Sequence, residues 1–260
     1  MLNRNEVINN IAEYFEGQPH VYALWQGGSA AFNRNDAWSD IDLCADVADG
    51  HADDVMQLMN RFLEEQYGIE LKFEIKQSPW EGMTQTFFRL KNGGPFLLID
   101  FAIFNHSAPD KLLQREIHGQ PVILFDKRGL FKPTSIDVPQ WNKTLLGRLQ
   151  MHAARFELFQ VMIEKELLRG NALDAMAFYL GFTLQPLVEV LRIQHSPYHY
   201  NFGLRYTKID LPADVAVEIE KLYFVANAAD LEQKWNYAKQ WFAKALKQAQ
   251  EKLVQNSQTV

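Results

Sequence analysis

The hydrophobic spacing of the chain changes character near Pro139, and that change limits the fold more than any other feature. Before it, apolar runs of strand length alternate with amphipathic helices and Gly-rich turns; after it, apolar residues recur only at helical spacing. The helical periods cover 141–169, closed by Gly170-Asn171, then 172–194, 213–226 and 229–254. A helical bundle accounts for that half. Pro186 falls inside the second of these helices and is expected to kink it. Residues 195–212 read as a long aromatic loop, and 255–260 as a frayed tail.

In the first half, residues 5–15 place Val7, Ile8, Ile11, Ala12 and Phe15 on one helical face. Residues 21–25 form a buried-strand run that ends in Gln26-Gly27-Gly28-Ser29, the pattern of a strand entering a tight turn. A second strand is expected over 41–46, and a helix over 52–66 with Val55, Met56, Leu58, Met59 and Phe62 on its core side, stopped by Gly68. From Glu70 to Lys76 the alternation is strict, with Leu71, Phe73 and Ile75 on one face, which predicts a strand with one wet face. Runs at 86–90 and 95–104, separated by Asn92-Gly93-Gly94, predict a hairpin. One more strand at 122–125 precedes a Lys-, Gly- and Pro-rich exit at 126–137. The expected fold is α+β: a mixed β-sheet with flanking helices over 1–137, then an all-α bundle over 138–260.

A chain of 260 residues, 47% of them hydrophobic, is long for one core and able to bury two. No stretch approaches the roughly 20 uninterrupted apolar residues of a membrane span, and the N-terminus is polar. The expectation is a cytoplasmic protein with no membrane partner. The single cysteine, Cys44, excludes an internal disulfide and a multi-cysteine metal site, and reads as a small buried residue in a strand. A net charge of −6 lacks the positive surplus that neutralises a phosphate backbone, so nucleic acid is a disfavoured partner.

The segment from Gly27 to Leu43 joins the Gly-Ser turn to an Asp-x-Asp strand. Gly27 and Gly28 let the backbone approach a ligand closely, while Ser29 and the amides after it sit where a helix begins and can meet a phosphate. Asp40 and Asp42 are two apart, so on a strand their carboxylates share a face and can hold hard divalent cations through oxygen. A third carboxylate, Asp100, stands alone in an apolar run, where an unpaired charge costs several kcal/mol by order of magnitude. Three aspartates around one or two Mg²⁺ ions could grip a triphosphate and stabilise an in-line displacement, with Asp100 also able to take a proton from an attacking hydroxyl.

This pattern, Gly28-Ser29, then Asp40-Ile41-Asp42, then a later strand aspartate at Asp100, resembles the nucleotidyltransferase superfamily of the DNA polymerase β type. Within it, the size and helical second half are most similar to the antibiotic nucleotidyltransferases that modify aminoglycosides and lincosamides. The resemblance implies a mixed sheet with helices on one side, and two metal sites made by Asp40 and Asp42 and completed by Asp100. It also implies transfer of a nucleoside monophosphate from a nucleoside triphosphate with release of pyrophosphate. The motif match is confined to residues 21–104. Many members have a glycine where this chain has Asn33, a residue that tolerates left-handed backbone angles. Arg34 is available to meet a triphosphate, and equally reads as a solvated arginine.

The expected activity is therefore transfer of AMP from ATP to a hydroxyl of a small-molecule acceptor, with Asp40, Asp42 and Asp100 as catalytic and metal-binding residues and Gly27, Gly28 and Ser29 as the nucleotide cradle. Two alternatives stay open: nucleotidylation of a protein or RNA partner, and a non-catalytic nucleotide-binding or interaction module; the helical half, 138–260, is expected to bind the substrate or to form a homodimer. Among the seven histidines, His195 and His199 are the pair at helical spacing, and Pro197 between them argues against zinc. The aromatic loop around Tyr198–Tyr206 could line a pocket or simply pack between helices. Glu157, Glu164 and Glu166 read as a solvated face.

Overall fold

Helix α1 (Arg4–Glu16) starts where the Asn3 side chain accepts hydrogen bonds from the Asn5 and Glu6 amides, an N-cap that fixes its first turn. Its buried face, Val7, Ile8, Ile11 and Phe15, is the one read from sequence. The computed structural model describes residues 2–76, 78–132 and 135–258, and the chain divides into two compact units, Met1–Ser135 and Ile136–Val260.

In the first unit six strands, β1 (Val21–Gln26), β2 (Ile41–Val47), β3 (Ile69–Ile75), β4 (Met83–Leu90), β5 (Leu98–Asn105) and β6 (Val122–Asp126), form one sheet in the order β3-β4-β5-β2-β1-β6. Only the central pair, β2 with β5, is parallel; the other pairings are antiparallel. Alternation along β2 sends Ile41, Leu43, Ala45 and Val47 into a core shared with α1 and with α3 (Ala52–Gln66), whose Val55, Met56, Met59, Phe62 and Leu63 are buried. Asp42, Cys44 and Asp46 lie on the opposite face. That face is partly covered by a smaller cluster of Ala23, Trp25, Met83, Ala102, Phe104 and Ala108, against which Leu130 and Phe131 pack. A register shift between Val21 and Ala23 explains why β1 contributes Val21 and Leu24 to one core and Ala23 and Trp25 to the other.

The strict alternation at 70–76 does produce a strand, but not a core face. β3 is the edge of the sheet, and Leu71 and Phe73 are 57% and 62% exposed. The sequence pattern specifies a two-faced strand and is silent on what covers the apolar side. The hairpin is also longer than expected, since β4 begins at Met83. The exit segment starts as the end of β6: Asp126 caps the turn by accepting from the Arg128, Gly129 and Phe131 amides, while Pro133 and Thr134 of that segment lie outside the described residues.

The second unit is helical. α5 (Val138–Leu168) is capped by Asp137, with Pro139 in its first turn, where a missing N–H breaks no helical bond. α6 (Ala172–Phe178) runs into a π-helical turn (Tyr179–Leu184) and then α7 (Gln185–His195). Near Pro186, where a kink was expected, the widened turn lies just before the proline, which sits in the first turn of α7. α4 (Arg115–His118) of the first unit and α8 (Thr207–Asp210) of the second are single turns, and α9 (Ala213–Tyr223) and α10 (Ala228–Gln258) complete the bundle. The helix continues through most of the tail expected to fray; residues 259–260 lie outside the described residues. Its core joins Leu145, Leu149 and Ile163 to Leu187, Leu191, Trp235, Phe242 and their neighbours. Among the described residues one helical run, Ala172–His195, is long and apolar enough to cross a membrane by length and composition, and 56% of its most apolar window is buried.

Candidate active site

Strand β1 ends at Gln26 and the chain turns at once into the single helical turn α2 (Gly28–Ala31). The Gly27 amide donates to the Asp42 carbonyl at 3.1 Å, which extends the β1–β2 ladder past the end of the strand. Gly28 has φ +52°, and a Cβ added there would lie 1.8 Å from Asp42 Oδ2 and 2.4 Å from its Cγ. No side chain fits at position 28 while Asp42 holds this position. The Gly-Gly-Ser turn and the Asp-x-Asp strand are thus one feature: the absent side chain is the space the carboxylate occupies.

Parallel pairing sets the next element. Asp42 is the register partner of Asp100, flanked by Ile41–Ile99 and Leu43–Phe101. Opposed residues of neighbouring strands project to the same face, so the two carboxylates stand side by side, both half-buried. Gln85 of β4, on the far side of Asp100, donates its amide to both carboxylate oxygens, at 2.7 and 2.9 Å. Burial pushes the Asp100 carboxyl above its ordinary range; the Gln85 bond opposes this, and the Asp40 charge adds to it. The same carboxylates act on Cys44, whose thiol is raised well above its usual range by burial and then by Asp100 and Asp42. A thiol held neutral in this way is inert.

Asp40 stands one residue before β2, and its charge acts with that of Asp42 on Arg4 and also reaches Asp100. Its backbone carbonyl accepts from Arg4 Nε at 3.1 Å, and Arg4 also donates to Gln26 Oε1 at 3.3 Å. Burial lowers the Arg4 guanidinium from its usual value, and Asp42 and Asp40 oppose the shift, so a cation from α1 is held beside the first two aspartates. The cradle residues are engaged rather than open. Ser29 Oγ bonds Asn35 Oδ1 at 2.8 Å, and the Arg34 amide donates to the Ser29 carbonyl at 2.9 Å. Asn33 takes the left-handed conformation, with φ 54°. The Arg34 guanidinium lies 4.8 Å from the centre of the Phe32 ring.

Asp46, the third polar residue of this β2 face, shows the contrast. It is fully buried with His106 Nδ1 at 2.8 Å and Lys111 Nζ at 3.7 Å, a cation inside the protein. Asp100 instead has a neutral amide as its hydrogen-bond partner. Among the described residues no group of three or more His, Cys, Asp or Glu side chains is placed to hold a metal ion by itself.

Arg4 and Gln85 are absent from the sequence reading. Arg4 lies upstream of the apolar pattern, and nothing local marks it. Gln85 does carry a signal, a polar residue between Met83 and Phe87 on one face of a strand, but β4 was expected to begin only at residue 86. In the helical unit, His199 sits in a 3-10 turn with its Nδ1 2.9 Å from Asp210 Oδ2, while His195 ends α7. The aromatic loop is organised by Arg192, fully buried, which donates to the carbonyls of Gly203, His199 and Arg205 and to Asp210.

No family model and no curated protein sequence matches the chain. Among solved structures, an aminoglycoside 6-adenyltransferase from Bacillus subtilis is similar at 11% identity and a TM-score of 0.38, over 98% of this chain and 92% of that one. Similarity at this level speaks neither for a shared family nor for a shared activity.

Proposed function

We propose that the first unit is a magnesium-dependent nucleotidyltransferase that moves a nucleoside monophosphate, AMP from ATP, to a hydroxyl of a small molecule with release of pyrophosphate. The observation that carries this reading is the registered pair Asp42–Asp100, seated against a glycine turn and partnered on Asp100 by a neutral amide. Two adjacent half-buried carboxylates repel each other, and a divalent cation with hard oxygen preference relieves that repulsion. Mg²⁺ is commonly held by one or two carboxylates with substrate phosphates filling the other positions, so a cage of three protein ligands is not required. Asp42 and Asp100, with Asp40 at the β2 entrance, are the residues that would hold it.

Bound there with a nucleoside triphosphate, Mg²⁺ would neutralise phosphate charge and polarise the α-phosphorus. Gly27, Gly28 and Ser29 bring the first-turn amides of α2, which lack intrahelical partners, to the phosphate chain. Ser29 then exchanges Asn35 for a phosphate oxygen. The acceptor oxygen forms a bond to the α-phosphorus while the bond from that phosphorus to the bridging oxygen of the β-phosphate breaks, and pyrophosphate leaves. The hydroxyl proton passes to Asp100, the carboxylate that stands beside Asp42. Arg4 holds Asp40 and Gln26 in place by its two hydrogen bonds.

The test is thermal melting with each of the four nucleoside triphosphates, with and without Mg²⁺, beside Asp40→Asn and Asp42→Asn. A ligand at one hundred times its Kd stabilises the fold by about 2.7 kcal/mol. The expected result is a magnesium-dependent upward shift for one triphosphate, lost in both variants. No shift with any triphosphate sinks the catalytic reading.

A further inference from the structure

Register across the sheet continues beyond the carboxylates. Phe73 of β3 pairs with Phe87 of β4, Phe87 with Asp100 of β5, and Asp100 with Asp42 of β2. Four side chains therefore stand in one row on one face, two rings followed by two carboxylates, with Gly28 against the Asp42 end. Neighbouring strands are about 4.8 Å apart, which places Phe87 one strand and Phe73 two strands from Asp100. One residue pair along, Leu71 lies opposite Arg89 on the same face.

This apolar end is uncovered. Leu71 and Phe73 are more than half exposed, although they belong to an edge strand whose other face carries Lys72 and Glu74. Edge strands are ordinarily protected by charge on whatever face water reaches, and two adjacent large apolar side chains left in water mark a contact surface. The charged residue on the row's own face, Arg89, is positive and pairs with Glu70 at 3.0 Å.

The row also fixes which side is which. If the triphosphate enters from the Gly28 side, as proposed above, the direction left for the acceptor is over β4 and β3. We propose that Leu71, Phe73 and Phe87 form the acceptor shelf, and that the acceptor is a small molecule with a flat apolar face next to its reacting hydroxyl. This rests on the nucleotidyltransferase reading for its chemistry. The shelf itself is testable without nucleotide.

The probe is naphthylethanol, a hydroxyl beside a flat apolar ring, compared with glucosamine by ligand-observed NMR on the full chain without nucleotide. Phe73→Ser and Leu71→Ser are the test variants, with unliganded melting as the folding control. Leu173→Ser, at an 88% exposed position of the helical unit, controls for adsorption to any surface leucine. The expected result is naphthylethanol binding to the native chain, weakened about tenfold or more by Phe73→Ser and Leu71→Ser and unchanged by Leu173→Ser, with no glucosamine binding. Absence of naphthylethanol binding, equal loss in Leu173→Ser, or preference for glucosamine overturns the shelf. So does concentration-dependent self-association abolished by Phe73→Ser, since the face would then belong to a second copy of the chain. A triphosphate melting shift with no naphthylethanol binding leaves the transferase reading standing and removes the shelf; the reverse pattern does the opposite.

Discussion

The Gln85 side-chain amide reaches both oxygens of Asp100 from the neighbouring strand, and this neutral donor works against the effect of burial and of Asp40 on that carboxyl. Replacing Gln85 by Leu removes the donor and keeps the bulk. The Asp100 carboxyl should then titrate higher than in the native chain, followed by carbon-13 NMR of the labelled side chain in metal-free protein. An unchanged or lower titration would show that the amide does not set the state of Asp100.

Gly28 and Asp42 occupy one volume between them. Gly28→Ala should destabilise the first unit by about 1–3 kcal/mol, from the left-handed angle and the collision with the carboxyl group. Adding Asp42→Gly to Gly28→Ala should return part of that loss, because it clears the space while leaving the backbone angle unfavourable. Urea unfolding of the single and double variants measures the coupling. Simple additivity would mean that the turn moves away from the strand at no cost.

Arg192 ties the aromatic loop to α7 through three carbonyls and Asp210. Arg192→Met takes the guanidinium from those carbonyls and from Asp210, which keeps His199 at 2.9 Å, and should cost about 3 kcal/mol. Amide exchange should rise first at 198–210, ahead of global unfolding. Protection that falls evenly over the whole helical unit would argue against a local clasp.

Glu189 accepts both arms of the Arg148 fork, at 2.6 and 2.8 Å, with His152 Nε2 2.9 Å away. Burial pushes its carboxyl up, and the His152 and Arg148 interactions outweigh that, so it titrates below its ordinary value. A carboxyl depressed by folding contributes stability that is complete above its unfolded pKa, about 4.3, and is lost as pH falls through the folded value. Glu189→Gln should therefore be less stable than the native chain at neutral pH, and the difference should narrow below about pH 4.3. Paired acid titrations of chemical stability read this; a gap constant with pH would remove Glu189 from the acid response.

Several parts of this structure were legible in the residues because local chemistry decides them. The face of α1, the stop at Gly68, the strand at 41–46 and the capacity of Asn33 for a left-handed angle each follow from side chains near in sequence. Asp100 was conspicuous for a similar reason, as one charge in an apolar run. Long-range placement was not legible. Nothing near Leu71 or Phe73 announces that β3 is an edge with no cover, because alternation fixes two faces but not their neighbours. Arg4 reaches Asp40 across the fold, and the fit of Asp42 against Gly28 depends on a backbone angle and a ladder bond that no residue type encodes alone.

The parallel pairing of β2 with β5 has a consequence for when Asp42 and Asp100 can meet. Parallel neighbours cannot be joined by a tight turn, and here the chain lays down α3 and the β3–β4 pair before it returns to set Asp100 beside Asp42. Contacts of such long sequence separation form late, after the loop entropy between them has been overcome. A nascent chain that has not yet released β5 from the ribosome holds the glycine turn and the first two aspartates but no facing pair. The facing pair of carboxylates is thus made by the closing of the central strands, not by any segment of the chain alone.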